Sequence, residues 1–317
     1  MNAPRQPETI ALGAGKEFDA IRVMMARWGP AARGIGDDAA VLAVPRGERL
    51  VASVDAAIEG HHFQKEWLTA REIGYRAATA ALSDLAAMGA QPLGILVALS
   101  LPARWIPTVA DLADGIGDAV GVAGTCILGG NTSAGETLSI TTTVLGSVYA
   151  PLQRCAVRSG DTLYVTGRLG GPGAAVAAWR RGETPSAEHR ERFARPRARI
   201  REARWLADRG ATSAIDVSDG LAADLQHLAA ASGVGIDVDL ALLPLVSKIA
   251  DADAAASGEE FELVVGAASP LSSSEFEAAF GVPLTVIARA TSAHEGVHIH
   301  RGRDRVANPG GYDHLSS

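Results

Sequence analysis

Five aspartates stand in this 317-residue chain where a carboxylate does little for a core and much for a ligand. Asp37 and Asp38 follow Gly34-Ile35-Gly36 in a turn, and Asp55 ends the apolar run Leu50–Asp55. Asp84 interrupts the alanine- and leucine-rich segment Ala80–Ala90. Asp219 lies in Ile215-Asp216-Val217-Ser218-Asp219-Gly220-Leu221, between an apolar run and a helical pattern. Singly, Asp219 reads equally as a helix N-cap and Asp37-Asp38 as a solvated turn. Asp84 is harder to dismiss. Ile73, Ala77, Ala81 and Met88 recur around it at helical spacing, so much of its helix is buried. An acid there is costly unless it is paired, capping or bound to a cation. Oxygen ligands without Cys or His partners favour Mg²⁺ or Ca²⁺ over zinc. Mg²⁺ held by few carboxylates completes its shell with phosphate oxygens, so the set points to a Mg²⁺–nucleotide site.

That site uses none of the common nucleotide loops. Gly15-Lys16 is followed by Glu17, with no glycine five residues earlier, so there is no Walker A loop. Gly34-Ile35-Gly36-Asp37-Asp38-Ala39 matches the spacing of a dinucleotide fingerprint, but its two carboxylates would repel a pyrophosphate. No G-x-S-x-G elbow and no Ser–His–Asp or Cys–His arrangement occurs. His298-Ile299-His300 puts two imidazoles on one face of a strand without a third ligand beside them, the pattern of surface histidines.

The elements that must position these acids alternate in type. Residues 18–28 are helical by spacing, and the turn at 34–38 precedes the apolar stretch Ala39–Val44. Leu50–Asp55 reads as a strand, 71–90 as a helix stopped by Gly89 and Pro92, Leu93–Leu101 as a strand and Pro107–Val122 as a helix. In strand 137–149, Leu138, Ile140, Thr142, Val144, Gly146 and Val148 share one face, and Thr141, Thr143 and Leu145 the other. A boundary near Pro151 precedes a second series: strand Thr162–Thr166, helix Gly170–Arg180 behind a glycine-rich turn, strand Ile215–Val217 and helix 221–232. Strands Ile236–Leu240, Glu262–Val265 and Pro283–Ala288 complete it, giving two α/β domains, 1–150 and 151–317. The chain is 47% apolar and 21% charged with net charge −7, which excludes a mainly disordered protein. The acidic balance also argues against one built to bind nucleic-acid backbone. Two cysteines, no signal-peptide pattern and no apolar run of membrane length lead us to expect a soluble cytoplasmic protein.

The ordered motifs resemble the thiamine-monophosphate kinase family. They are Gly34–Leu42, Ser53-Val54-Asp55 with Glu59-Gly60-His61-His62-Phe63, Leu82-Ser83-Asp84-Leu85-Ala86-Ala87-Met88-Gly89-Ala90, Gly129-Gly130-Asn131-Thr132, Asp161–Gly167, Asp216–Leu221 and Gly311-Tyr312-Asp313-His314. They span about residues 16 to 314 in the family's order. The resemblance implies a PurM-like two-domain ATP-binding fold with mixed α/β sheets, and ATP-dependent phosphorylation of thiamine monophosphate. It assigns ATP and Mg²⁺ binding and dimerisation to domain 1–150. It implies Mg²⁺ on Asp37, Asp38, Ser53, Asp55, Asp84 and Asp219, with Asp84 and Asp219 carrying phosphate transfer. Gly129, Gly130, Asn131, Thr132, Arg154 and Ser218 are implied for ATP, and Glu59, His62, Phe63, Glu260 and Tyr312 for the thiamine phosphate. It also implies a homodimer, which suits strand 137–149, because such a strand left as an open edge invites aggregation.

The chain departs from the family's usual residues at four places near the expected site. Asn131 replaces an aspartate, Glu260 an aspartate in Gly258-Glu259-Glu260-Phe261-Glu262-Leu263, Ala81 an asparagine, and His61 a valine. Asn131 offers a carbonyl dipole where a charge is usual. A relative acting on another phosphorylated substrate, or binding Mg²⁺–nucleotide without transferring phosphate, is therefore the alternative reading.

Overall fold

The structure, a computed structural model, describes residues 15–35, 38–292 and 296–312. Asp37, Asp313 and His314 lie outside the described residues. The chain forms two units: residues up to Leu85 with Gln91–Tyr149, and Ala86–Ala90 with Ala150 onward.

The first unit contains α1 (Lys16–Trp28), β1 (Arg49–Ile58), α2 (Ala70–Ala87), β2 (Gln91–Leu101), α3 (Val109–Ala123), β3 (Ile127–Ala134) and β4 (Ser139–Val148). Its sheet runs β1-β4-β2-β3, antiparallel except for β2–β3, which α3 connects as a parallel crossover. Ile95, Val97 and Leu99 of β2 and Ile140, Thr142 and Val144 of β4 line the buried face. Leu85 of α2 lies on that face against Gly146. Helices α2 and α3 touch backbone to backbone: a Cβ on Gly74 would lie 2.2 Å from Leu112 O, and one on Gly115 would lie 1.9 Å from Arg71 O. The face split expected for 137–149 is observed from Leu138 to Gly146, but Ser147 is buried too, and the strand is no open edge, because β1 and β2 pair with it on either side. The stretch Ala39–Val44 forms no regular element, and Val41 is exposed.

The second unit contains β5 (Thr162–Thr166), α4 (Gly171–Arg180), α5 (Ala187–Ala194), α6 (Ile200–Ala207), β6 (Ala211–Asp216), α7 (Leu221–Ser232), β7 (Gly235–Asp239), α8 (Asp251–Ala255), β8 (Leu263–Ala267), α9 (Ser273–Phe280), β9 (Leu284–Thr291), β10 (Gly296–Arg301) and β11 (Asp304–Arg305). The sheet order is β11-β10-β7-β9-β5-β8-β6, with only β7–β10 parallel. Leu221, Leu225 and Leu228, three to four residues apart on α7, join Leu163, Val165, Ile215, Val264 and Ile287 in one core. Both sheets are mixed, as the α/β reading requires.

Candidate active site

In the first unit the acids are carried by β1 and α2. Ser53 stands opposite Val144 and Asp55 opposite Thr142, both fully buried, so Ser53 and Asp55 share the inner sheet face. Asp84 is half-buried on α2 between buried neighbours, and Ser53 Oγ donates to its Oδ2 at 2.5 Å. The hydroxyl that donates keeps its own lone pairs, so Ser53, Asp55 and Asp84 form an all-oxygen donor set. Asp55 Oδ1 accepts from Ala56 N at 2.7 Å. Asp38 is exposed in the loop before β1.

The segment after β1 is tied down by Glu59. Its Oε2 accepts from Arg104 Nη2 (2.7 Å), Trp105 Nε1 (3.0 Å) and Leu138 N (3.3 Å). Phe63 is buried and closes the turn, with Gly60 N donating to its carbonyl at 2.8 Å. His62 Nδ1 accepts from Ile58 N at 3.1 Å, so in the neutral ring Nε2 carries the proton and can donate it to an anionic oxygen. Sequence reasoning missed Arg104 and Trp105, which carry no local motif and meet Glu59 only through the fold.

The Gly129–Thr132 segment lies on edge strand β3. A Cβ on Gly130 would lie 1.8 Å from Val97 O, so backbone packing against β2 alone requires that glycine. Asn131 stands opposite exposed Ala98, and Thr132 opposite buried Leu99. Register therefore puts Asn131 on the face opposite Ser53 and Asp55. Asp55, Thr142, Val97 and Gly130 lie in one cross-strand row over three strand spacings, about 14 Å. Asn131 and Asp55 of one chain cannot ligate the same ion.

In the second unit Gly220, not Asp219, is the N-cap of α7. Ser218 and Asp219 are half-buried, whereas Asp216 and Asp224 are buried. Asp224 Oδ2 accepts from the backbone N–H groups of Ser218 (3.1 Å), Asp219 (3.2 Å) and Gly220 (3.1 Å). Burial, then the charges of Asp216 and Asp219, push its carboxyl up to about 8 against the pull of those N–H groups. Tyr312, half exposed, donates its backbone N–H to Asp219 O at 2.8 Å. Arg154 is exposed, and its carbonyl accepts from Ser232 Oγ at 2.6 Å, at the far end of α7 from Asp219.

Glu260 is buried, not surface-facing. Its Oε1 accepts from Gly170 N and Ser257 Oγ, both at 2.6 Å, and its Oε2 lies 3.5 Å from Arg192 Nη2. Glu262, also buried, is better served: Arg199 donates to both its oxygens (2.6 and 2.7 Å), Thr166 Oγ1 donates at 2.7 Å and Arg192 at 3.1 Å. Burial pushes the Glu260 carboxyl up to about 7, only partly offset by Arg192. Burial works the same way on Glu262, but Arg199, Arg192 and Thr166 together outweigh it and hold that carboxyl low. The backbone on either side of Glu260 is left-handed at Glu259 (φ 59°) and Phe261 (φ 52°). Glu259 N donates to Ser218 O (2.7 Å) and Phe261 N to Val217 O (2.9 Å). Glu260 thus anchors the segment that holds Ser218.

Comparison with known proteins fits both units. The AIR synthase related protein N-terminal domain family matches residues 36–148 and its C-terminal domain family residues 158–301. The thiamine-monophosphate kinase of Escherichia coli (strain K12) is 34% identical over 305 residues, covering 90% of this chain and 92% of its own. The chain belongs to the thiamine-monophosphate kinase family. The crystal structure of the thiamine-monophosphate kinase from Stenotrophomonas maltophilia K279a superposes with TM-score 0.79 at 32% identity, covering 90% of this chain and 96% of that one. AaThiL complexed with AMPPCP and TMP superposes with TM-score 0.75 at 25% identity, covering 94% and 97%. Within this kinase-family chain, no three His, Cys, Asp or Glu side chains among the described residues stand together as a metal-holding group. The donor chemistry of Ser53, Asp55 and Asp84 nonetheless suits a hard cation such as Mg²⁺. Both cysteines are free: Cys126 is buried, which raises its thiol, and Cys155 is exposed.

Proposed function

We propose that the protein transfers the γ-phosphate of ATP to the phosphate of thiamine monophosphate, giving thiamine diphosphate and ADP. The observation that carries this is Asp84, a half-buried carboxylate on a buried helix, bonded by Ser53 Oγ, in a chain of this family. A phosphate oxygen of thiamine monophosphate bonds to the γ-phosphorus while the bond from that phosphorus to the β-bridging oxygen breaks. The monoester is ionised near neutral pH, so no side chain has to remove a proton. The protein's task is positioning and charge neutralisation.

Mg²⁺, when bound, offsets the charge of the ATP phosphates. Ser53, Asp55 and Asp84, with Asp38 in the loop before β1, are the residues of the first unit that would hold it, and in the second unit Asp219 is the carboxylate that suits such an ion. His62 donates Nε2–H to a substrate oxygen, and the ring of Tyr312 contacts the thiamine moiety. Glu59, Phe63 and Glu260 act by fixing their segments, because their side chains are already buried or bonded. Ser218 contacts the nucleotide, whereas Arg154, at the far end of α7 from Ser218, does not. Two free cysteines suit a cytoplasmic setting, and no helix among the described residues is long and apolar enough to cross a membrane.

A homodimer through the outer face of the first sheet fits the exposed Leu50 (55%) and Val54 (61%) on its edge strand. Light scattering should give a dimer for the wild type and a monomer for Leu50→Lys with Val54→Lys. Coupled assay of ADP release should show turnover that needs both thiamine monophosphate and Mg²⁺, with stoichiometric thiamine diphosphate. A folded protein that binds Mg²⁺·ATP without such turnover would instead be a nucleotide-binding relative.

A further inference from the structure

The turn at Ser218–Gly220 has no spare backbone. Ser218 N, Asp219 N and Gly220 N all donate to Asp224 Oδ2. Ser218 O accepts from Glu259 N and Asp219 O from Tyr312 N, while Gly220 O accepts from Asp224 N and Ala223 N. Three successive N–H groups at a helix start are the usual cradle for a phosphate. Here a carboxylate of the same helix, 1% exposed, already fills it. The backbone of the turn is thus fully engaged, and a ligand would be met by side chains.

The surroundings leave the turn no second arrangement. Gly220 has φ 113°, a conformation that side chains rarely adopt. A Cβ on Gly311 would lie 2.5 Å from Ala223 Cβ and 2.8 Å from Asp219 O, and one on Gly258 would lie 2.8 Å from Ser218 O. Chain packs on the turn from both sides, and Asp224 closes it from within.

We propose that Asp224 is the positioning residue of this turn: it orders the backbone so that Asp219 is presented in one orientation to a cation. The proposal rests on Asp219 facing Mg²⁺·ATP, but not on which phosphate acceptor the protein uses. What it requires of Asp224 is an acceptor oxygen, which an asparagine also supplies and an alanine does not.

The test compares full-length wild type, Asp224→Ala and Asp224→Asn by two readouts that need no thiamine monophosphate. The first is hydrogen exchange of the peptide covering 217–221, with β8 as internal reference. The second is the Mg²⁺ concentration giving half of the ATP-dependent protection against heat. In Asp224→Ala the 217–221 peptide should exchange about tenfold faster with β8 unchanged, and half-protection should need about fivefold more Mg²⁺. Asp224→Asn should stay within about threefold of wild type on both. Wild-type exchange or wild-type Mg²⁺ dependence in Asp224→Ala overturns the proposal, as does a folded Asp224→Asn as impaired as the alanine variant. If β8 in Asp224→Ala also loses protection, the asparagine variant decides by the same threefold limit. Absence of thiamine-monophosphate turnover in all three proteins would remove the kinase reading and leave this one standing.

Discussion

Replacing Glu260 with glutamine should shift stability in favour of the variant over wild type as pH rises. Glu260 and Glu262 share two arginines, and the division is unequal. Glu262 takes Nε and Nη2 of Arg199 and accepts from Nη2 of Arg192, which is also the single cation left to Glu260, at 3.5 Å. Burial therefore dominates at Glu260 and lifts its carboxyl from 4.5 to about 7. A carboxyl whose folded value lies above its unfolded one favours folding fully below the unfolded value. That contribution is lost as pH rises through the folded one. Integrating between those two values, the wild type should lose about 2.5 kcal/mol relative to Glu260→Gln from pH 5 to pH 8. Losses independent of pH, such as the amide group set against Arg192, cancel in that difference, as do the titrations of other groups. Urea unfolding of both proteins at pH 5, 6, 7 and 8 measures it. A difference constant to within about 0.5 kcal/mol, or one that moves in the wild type's favour as pH rises, would mean that Arg192 outweighs burial and Glu260 is ionised throughout.

Asp84→Asn keeps an acceptor for Ser53 Oγ and removes one charge, so metal-free stability should hold or rise while Mg²⁺·ATP protection against heat shrinks. A variant that unfolds without metal yet binds Mg²⁺·ATP normally would make Asp84 a structural acid. Asn131→Asp adds a charge about 14 Å from Asp55, which at the dielectric of water is worth about 0.6 kcal/mol to a divalent ion there, or about threefold in affinity. Calorimetry without nucleotide that finds more than about tenfold would refute the separation that the strand register gives.

What could be read in the sequence is what periodicity encodes. Strand 137–149 and helices 71–90 and 221–232 show their buried faces as spacing, and the cost of an acid within such spacing singled out Asp84. Strand β3 was not legible, because Leu128-Gly129-Gly130-Asn131 lacks the alternation of a strand and its glycines look like a phosphate loop. Packing accounts for Gly130, which abuts the Val97 backbone. The same holds for the start of α4: a Cβ on its N-cap Gly170 would meet Ile249, one on Gly171 Arg192 and one on Gly173 Ser257. The resemblance implies Glu260 for the substrate, and its buried setting is not legible because sequence shows a residue's neighbours along the chain and not the partners that α4 and α5 bring to it. Asp224 was missed although it carries the same signal as Asp84, an acid in an apolar helical pattern.

The acids of the Asp216–Asp224 stretch are alike in sequence, and the fold separates them by who supplies the protons. Asp161 and Asp224 are buried and accept from backbone N–H groups that cannot leave without unfolding a turn. Glu262 is held by two guanidinium groups in the interior. A cation cannot compete for such oxygens, because displacing fixed donors would leave buried N–H groups unpaired at about 1 to 3 kcal/mol each. Asp84 receives instead a hydroxyl, which can rotate away and turn its own lone pairs to a cation. Asp219 stays half-buried between the end of β6 and the start of α7, whereas Asp55 is half-buried within β1, paired with Thr142, where the strand runs on to Ile58. Asp84 is thus set apart from the buried acids by a donor that can move, and that distinction follows from which partners the fold brings to each carboxylate.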